Sequence, residues 1–169
     1  SDIHQYNTHA LAIYSTDGRA ILKFAAKHDD RAYIAKAEHL AVDPYNRILV
    51  SDVAKRVIKI YDGNLGKMLT EIGRDDNEAH LAQPRGVECD SKGNIMVSDS
   101  KNNTIAVFSP DGRYIQNLLT EEDGLRTPYE MAFHRTYGIM AVTCNNSLRS
   151  DTLRKIRLYQ VIQRSTNNL

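Results

Sequence analysis

This chain repeats itself. Pro84-Arg85-Gly86-Val87-Glu88-Cys89-Asp90-Ser91-Lys92-Gly93-Asn94 leads into Ile95-Met96-Val97-Ser98-Asp99. A polar Ser100-Lys101-Asn102-Asn103 follows, then Thr104-Ile105-Ala106-Val107-Phe108, Ser109-Pro110-Asp111-Gly112-Arg113 and Tyr114-Ile115. The short apolar runs read as strands and the Ser-Lys-Gly-Asn and Ser-Pro-Asp-Gly stretches as hairpin turns. Gly accepts positive φ there, and Pro presets the first corner. A shift of 47 positions lays Asp43–Asp52 over Asp90–Asp99 and Ile58–Tyr61 over Ile105–Phe108. Turn and strand positions match together. A four-stranded antiparallel unit cannot bury both of its faces alone, and recurrence at roughly 40–50 residues marks a propeller blade or β-solenoid.

The copies differ in completeness. Ser1-Asp2 repeats Ser51-Asp52 and Ser98-Asp99, so the chain reads as a fragment that opens halfway through a unit. Ala10–Tyr14 and Ala20–Phe24 are then the third and fourth strands of a half-unit spanning 1–24. A polar connection follows, with a short helical tendency over Tyr33–Ala37. Full units are expected over 39–72 and 84–119, and a last one over 128–161 that lacks its outer strand. In that last copy Pro128–Phe133 lies over Pro84–Cys89 at a shift of 44, and Thr143 stands where the other copies carry Asp. Residues 162–169 form a tail. The expected fold class is all-β, a partial β-propeller of about three four-stranded antiparallel blades within one domain.

Pro-Arg-Gly-Val, then Asp-x-x-Gly-Asn-Ile-x-Val-Ser-Asp, then Asn-x-x-Ile-x-Val-Phe-x-x-Asp-Gly, resembles an NHL repeat. That repeat is the blade unit of β-propellers in RING/tripartite-motif NHL proteins and their Brat-like relatives. The preceding copy departs from it with His39 at the position of Gly86. The resemblance implies a six-bladed ring of which this chain is the C-terminal half, completed by further blades or by a second copy of the chain. It also implies a parent protein with RING, B-box and coiled-coil regions upstream, acting as a ubiquitin ligase or in translational repression. Members of the family bind short single-stranded or hairpin RNA on one face of the ring.

Composition narrows the function classes. No apolar run approaches the ~20 residues of a membrane helix, and Ser1-Asp2-Ile3-His4 begins no secretory signal. A cytoplasmic location is expected, with no membrane and no DNA among the partners. The formal net charge is +1, so affinity for nucleic acid has to come from a local patch. Cys89 and Cys144 form neither a disulfide framework nor a zinc motif, and Cys89 falls over the apolar Val42. Asp52 and Asp99, like Asp43 and Asp90, recur in each good copy, which fits scaffolding carboxylates that accept turn N–H groups. His4, His9, His28, His39, His80 and His134 fall at non-equivalent repeat positions with no His-Glu-x-x-His spacing. Neither a glycine-rich phosphate loop nor a nucleophile elbow is present. The chain therefore reads as non-enzymatic, with no catalytic residue, metal or cofactor.

Propeller topology puts the loop after each second strand, and each connection between blades, on one face. That face is expected to gather Tyr6, His39, Lys55, Arg56, Arg85, Lys101, Asn102, Asn103, Tyr129 and Arg149 as partner-binding residues. Bases stack on aromatic and guanidinium planes, amides read base edges, and cations offset phosphate charge. Arg85 is the first choice, because it precedes a first strand, where side chains approach the centre of the ring. An ion pair with a neighbouring connection is its structural alternative. Asp29, Asp30, Asp75, Asp76, Glu78, Glu121, Glu122 and Asp123 lie in the same connections and repel phosphate. They leave docking of a protein on this face as the second reading.

Overall fold

Thirteen β-strands make up four antiparallel sheets in the computed structural model, which describes residues 10–24, 31–74, 80–134, 137–144 and 155–160. The first sheet pairs β1 (Leu11–Tyr14) with β2 (Ala20–Phe24). The second is a meander of β3 (Ala37–Val42), β4 (Arg47–Asp52), β5 (Val57–Asp62) and β6 (Met68–Ile72). The third repeats it with β7 (Pro84–Cys89), β8 (Ile95–Asp99), β9 (Thr104–Phe108) and β10 (Tyr114–Leu119). The fourth holds β11 (Pro128–His134), β12 (Ile139–Cys144) and β13 (Lys155–Gln160). A 3-10 turn, Glu121–Asp123, is capped by Thr120 before β11. No helix among the described residues is long and apolar enough to cross a membrane.

The hairpins close for local reasons that repeat. Asp43 accepts the N–H groups of Tyr45 and Arg47, as Asp90 does those of Lys92 and Asn94. The left-handed corner falls on Asn46 in one turn and Gly93 in the other, the residue types that enter that region most readily. Ser15 and Ser109 close the wider turns by accepting from the N–H of Arg19 and of Arg113.

Each middle sheet is covered on both sides, which is why its second strand is an unbroken apolar run rather than an alternating one. Leu49, Ile58 and Ile60 of the second sheet meet Val87, Val97 and Phe108 of the third. Met96, Ile105 and Val107 of the third meet Met131, Met140 and Val142 of the fourth. On the other side Ile48, Val50 and Tyr61 pack against Leu11 of the first sheet, with Ile34 between. Burial of this kind contributes about 25 cal/mol per Å² of apolar surface. The first strands β3, β7 and β11 lie side by side, so the sheets fan from them as wedges. This is an all-β, partial propeller-like fold. Leu40 and Val42 on β3 are exposed, whereas their repeat equivalents Val87 and Cys89 are buried under β3.

Two local expectations change. Tyr33–Ala37 is not helical: the N–H groups of Ala35 and Lys36 are taken by the Asp52 carboxylate, and Ala37 opens β3 two residues before His39. Thr143 does not stand at the Asp position. Pro128 pairs with Cys144 as Pro84 pairs with Asp99, so Cys144 holds that place. Thr143 instead accepts from the Glu130 N–H as Ser51 does from His39 and Ser98 from Gly86.

Gly86 is required by a close approach. A Cβ there would lie 2.9 Å from the Tyr129 carbonyl and 3.1 Å from the Met131 nitrogen, both backbone atoms of β11. At the equivalent point of β3 stands His39, whose ring Nδ1 accepts from the Val87 N–H at 3.4 Å. Gly86→Val is expected to cost at least the ~1–3 kcal/mol of an overpacked core, read as a lower urea midpoint at unchanged slope.

Candidate functional site

Two carboxylates build the loop face. Asp52 accepts from the N–H groups of Ala35 at 2.8 Å, Lys36 at 3.1 Å and Lys55 at 3.2 Å. It thereby binds the connection before β3 to the loop after β4. Asp99 does the same one unit later, accepting from Ala82 at 2.7 Å and Gln83 at 2.9 Å as well as from Lys101 and Asn102. Side chains with little in common are thus carried on the same frame. Around Asp52 the exposed charged residues are Lys36, Lys55 and Arg56, and none of the three makes an ion pair among the described residues. Arg56 has φ 60, in the left-handed region where its equivalent is Asn103 at φ 55. That region suits Gly and Asn and costs an arginine on the order of 1 kcal/mol.

Nearer the axis three first strands meet in one cluster. Each of β3, β7 and β11 carries a register shift at the same point, after Ala37, Pro84 and Pro128. A bulge re-aims the residue it frees. Here the freed residues are Glu38, Arg85 and Tyr129, equivalent to one another in the repeat. Arg85 Nη1 pairs with Glu38 Oε1 at 2.5 Å, and the Tyr129 hydroxyl donates to the same oxygen. The Arg85 guanidinium lies 4.9 Å over the Tyr129 ring. Arg85 and Glu38 are only 17% and 15% exposed, and Arg85 Nε is buried without a hydrogen-bond partner among the described residues. Burial alone would raise Glu38, but the Tyr129 hydrogen bond and the charge of Arg85 outweigh it. Its carboxyl is held below the ordinary range, with Lys36 adding to the effect.

The residues singled out from sequence therefore have different fates. Lys55, Arg56, Lys101 and Asn102 are exposed on the loops. Asn102 Nδ2 is engaged by the His80 carbonyl and Asp99. Asn103 donates to Glu121 and accepts from the Thr127 N–H at 2.7 Å, so its amide is spent on the connection. His39 sits within β3, half-buried against β7. Arg85 has its ion pair, with a strand residue rather than a connection, and Tyr129 lies beneath it. Tyr6 and Arg149 lie outside the described residues. Lys36 and Glu38 were missed. The 47-residue shift that places Glu38 over Arg85 contains the signal, an acid facing a base at one repeat position.

Comparison with known proteins reaches the fold. No protein-family model matches the chain, and no curated protein sequence does. Among solved structures, hydrazine synthase of Kuenenia stuttgartiensis is similar at a TM-score of 0.54 and 13% sequence identity. The match covers 65% of this chain and 29% of that one, so the chain spans less than a third of that structure. At such identity the likeness concerns the arrangement of strands alone.

Proposed function

We propose that this chain is a non-enzymatic recognition platform that binds single-stranded or hairpin RNA on its loop face, as part of an NHL-type propeller. One observation carries the reading. The Asp52 frame brings Lys36, Lys55 and Arg56 to one stretch of surface, and none of the three makes an ion pair among the described residues. Holding an arginine in the left-handed region supports it further, since strain of that kind clusters where function needs it. Arg85 is then a positioning residue that holds the first strands in place, and the phosphate contacts pass to the outer cations.

A second reading, docking of a protein in the service of ubiquitin transfer, is favoured by the spent amide of Asn103 and the engaged NH₂ of Asn102, and by the exposed Glu121, Glu122 and Asp123. Fluorescence anisotropy with a random oligoribonucleotide separates the two. Three phosphate contacts on a single strand give a log–log salt slope of about −2. Changing Lys36, Lys55 and Arg56 together to Gln, Gln and Asn should remove that slope and weaken binding at low salt by well over tenfold. A wild-type chain that ignores RNA at low salt hands the face to the protein-docking reading.

A further inference from the structure

The two complete sheets differ in what fills the space beneath the connection. In the second sheet Lys59 of β5 pairs across to Glu71 of β6, and its ammonium lies buried at 3.3 Å from that carboxylate and 2.5 Å from the Arg31 carbonyl. Lys59 is only 2% exposed, so its side chain fills the space between the sheet and the connection. In the third sheet the same pairing joins Ala106 to Asn117. The long side chain is gone, and so is the acid that balanced it. Along the connection, His80 takes the place of the buried Tyr33.

What results is a cavity of about 310 Å³, at the small end of the ~300–1,000 Å³ typical of ligand sites. It is floored by the buried Leu81 and Ala106, flanked by Tyr114, and has the exposed His80, Asn102 and Asn117 at its mouth. Asn102 and Lys101 belong to the loop that Asp99 holds, so the mouth opens beside an exposed cation of the loop face.

We propose that this cavity takes one unstacked nucleobase of a bound RNA strand, its edge read by the Asn117 amide and by the Asn102 Oδ1, whose NH₂ is held by His80 and Asp99, with Lys101 on the adjoining phosphate. The inference rests on the RNA reading and adds to it a position at which base identity is tested. The chemistry points to a base rather than to a cation. Where the repeat houses an ammonium it supplies Glu71; here it supplies an amide, which both donates and accepts, as base edges do. The Asp99 carboxylate is already committed to backbone N–H groups. Tyr114 and His80 offer rings beside a planar guest.

The test uses the neighbouring sheet as its template. The wild-type chain is titrated with rA, rC, rG and rU homo-oligomers, alongside the Ala106→Lys/Asn117→Glu double variant, which rebuilds the buried pair and closes the cavity. Wild type should prefer one or two of the four by at least tenfold. The double variant should bind all four within about twofold of one another, with its salt slope retained. Ala106→Leu, which fills the floor with apolar volume, should do the same and covers the case of a misfolded pair. A folded variant that keeps the preference, or a wild type without one, overturns the pocket and leaves the RNA reading standing. Absence of all RNA binding by wild type removes both. Binding of a lysine-rich peptide that either variant abolishes would assign the cavity to an amine instead and overturn the nucleobase.

Discussion

Asp99→Ala is expected to cost about 2–6 kcal/mol, the sum for two half-buried backbone donors left unmet. The side chain is 1% exposed and accepts from the N–H groups of Ala82 and Gln83 at 2.7 and 2.9 Å, and from the Asn102 Nδ2 at 2.9 Å. Longer contacts reach the N–H groups of Lys101 and Asn102. Alanine removes every one of these acceptors at once. Each buried donor left unmet costs about 1–3 kcal/mol, against a total stability of about 5–15 kcal/mol for a domain. Water can reach the exposed loop N–H groups of Lys101 and Asn102, so the loss is dominated by Ala82 and Gln83 in the connection. Asp99→Asn keeps one acceptor oxygen and turns an NH₂ toward the remaining donors, so roughly half the loss is expected. Urea denaturation followed by far-UV circular dichroism measures both. An unchanged midpoint for Asp99→Ala would show that packing of Leu81 and the hydrogen bonds of Ser100 to Gln83 hold the connection without the carboxylate.

How much of this could be read from the residues depends on which physics sets each feature. The strands and turns were legible because both are local: apolar runs such as Ile48-Leu49-Val50 and the Ser-Pro-Asp-Gly turn carry their own geometry. The scaffolding role of Asp52 and Asp99 was legible as well, since repetition separates a structural carboxylate from one needed once. The helical tendency at Tyr33–Ala37 misled because propensity is a weak prior, and here a carboxylate 16 positions further on claims the Lys36 N–H. Thr143 misled for a different reason. The final hairpin is longer, so alignment by count slips one position, whereas the pairing of Pro128 with Cys144 does not. The pairing of Glu38 with Arg85 was beyond reading by motif, because it depends on where three bulges aim their side chains. The cavity beside Ala106 becomes visible only when Lys59 is seen to be buried.

The cluster at the first strands should give the chain an acid-sensitive component of stability. Glu38 is held below its ordinary value of about 4.3 by Tyr129 and Arg85, against the opposing effect of burial. A carboxylate depressed in the folded state contributes stability that is present above its unfolded value and lost as pH falls through its folded one. Stability should therefore decline as pH drops below about 4.3, and Glu38→Gln should remove that part of the decline. At neutral pH the cost of Glu38→Ala is larger than the pair itself would suggest. It strands the Arg85 guanidinium, 17% exposed and already short of a partner at Nε, beneath β3 and above the Tyr129 ring. Breaking a buried pair from one side costs about 3–5 kcal/mol, and the partial exposure of this one puts the expected loss at about 3 kcal/mol. Tyr129→Phe keeps the ring under Arg85 and removes one charge-assisted hydrogen bond, for about 1.5–3 kcal/mol. Because both changes act on one Glu38 oxygen, the double variant should lose less than the sum. Additive losses would mean that the three first strands are held separately, and that the convergence of their bulges does not bind the sheets to one another.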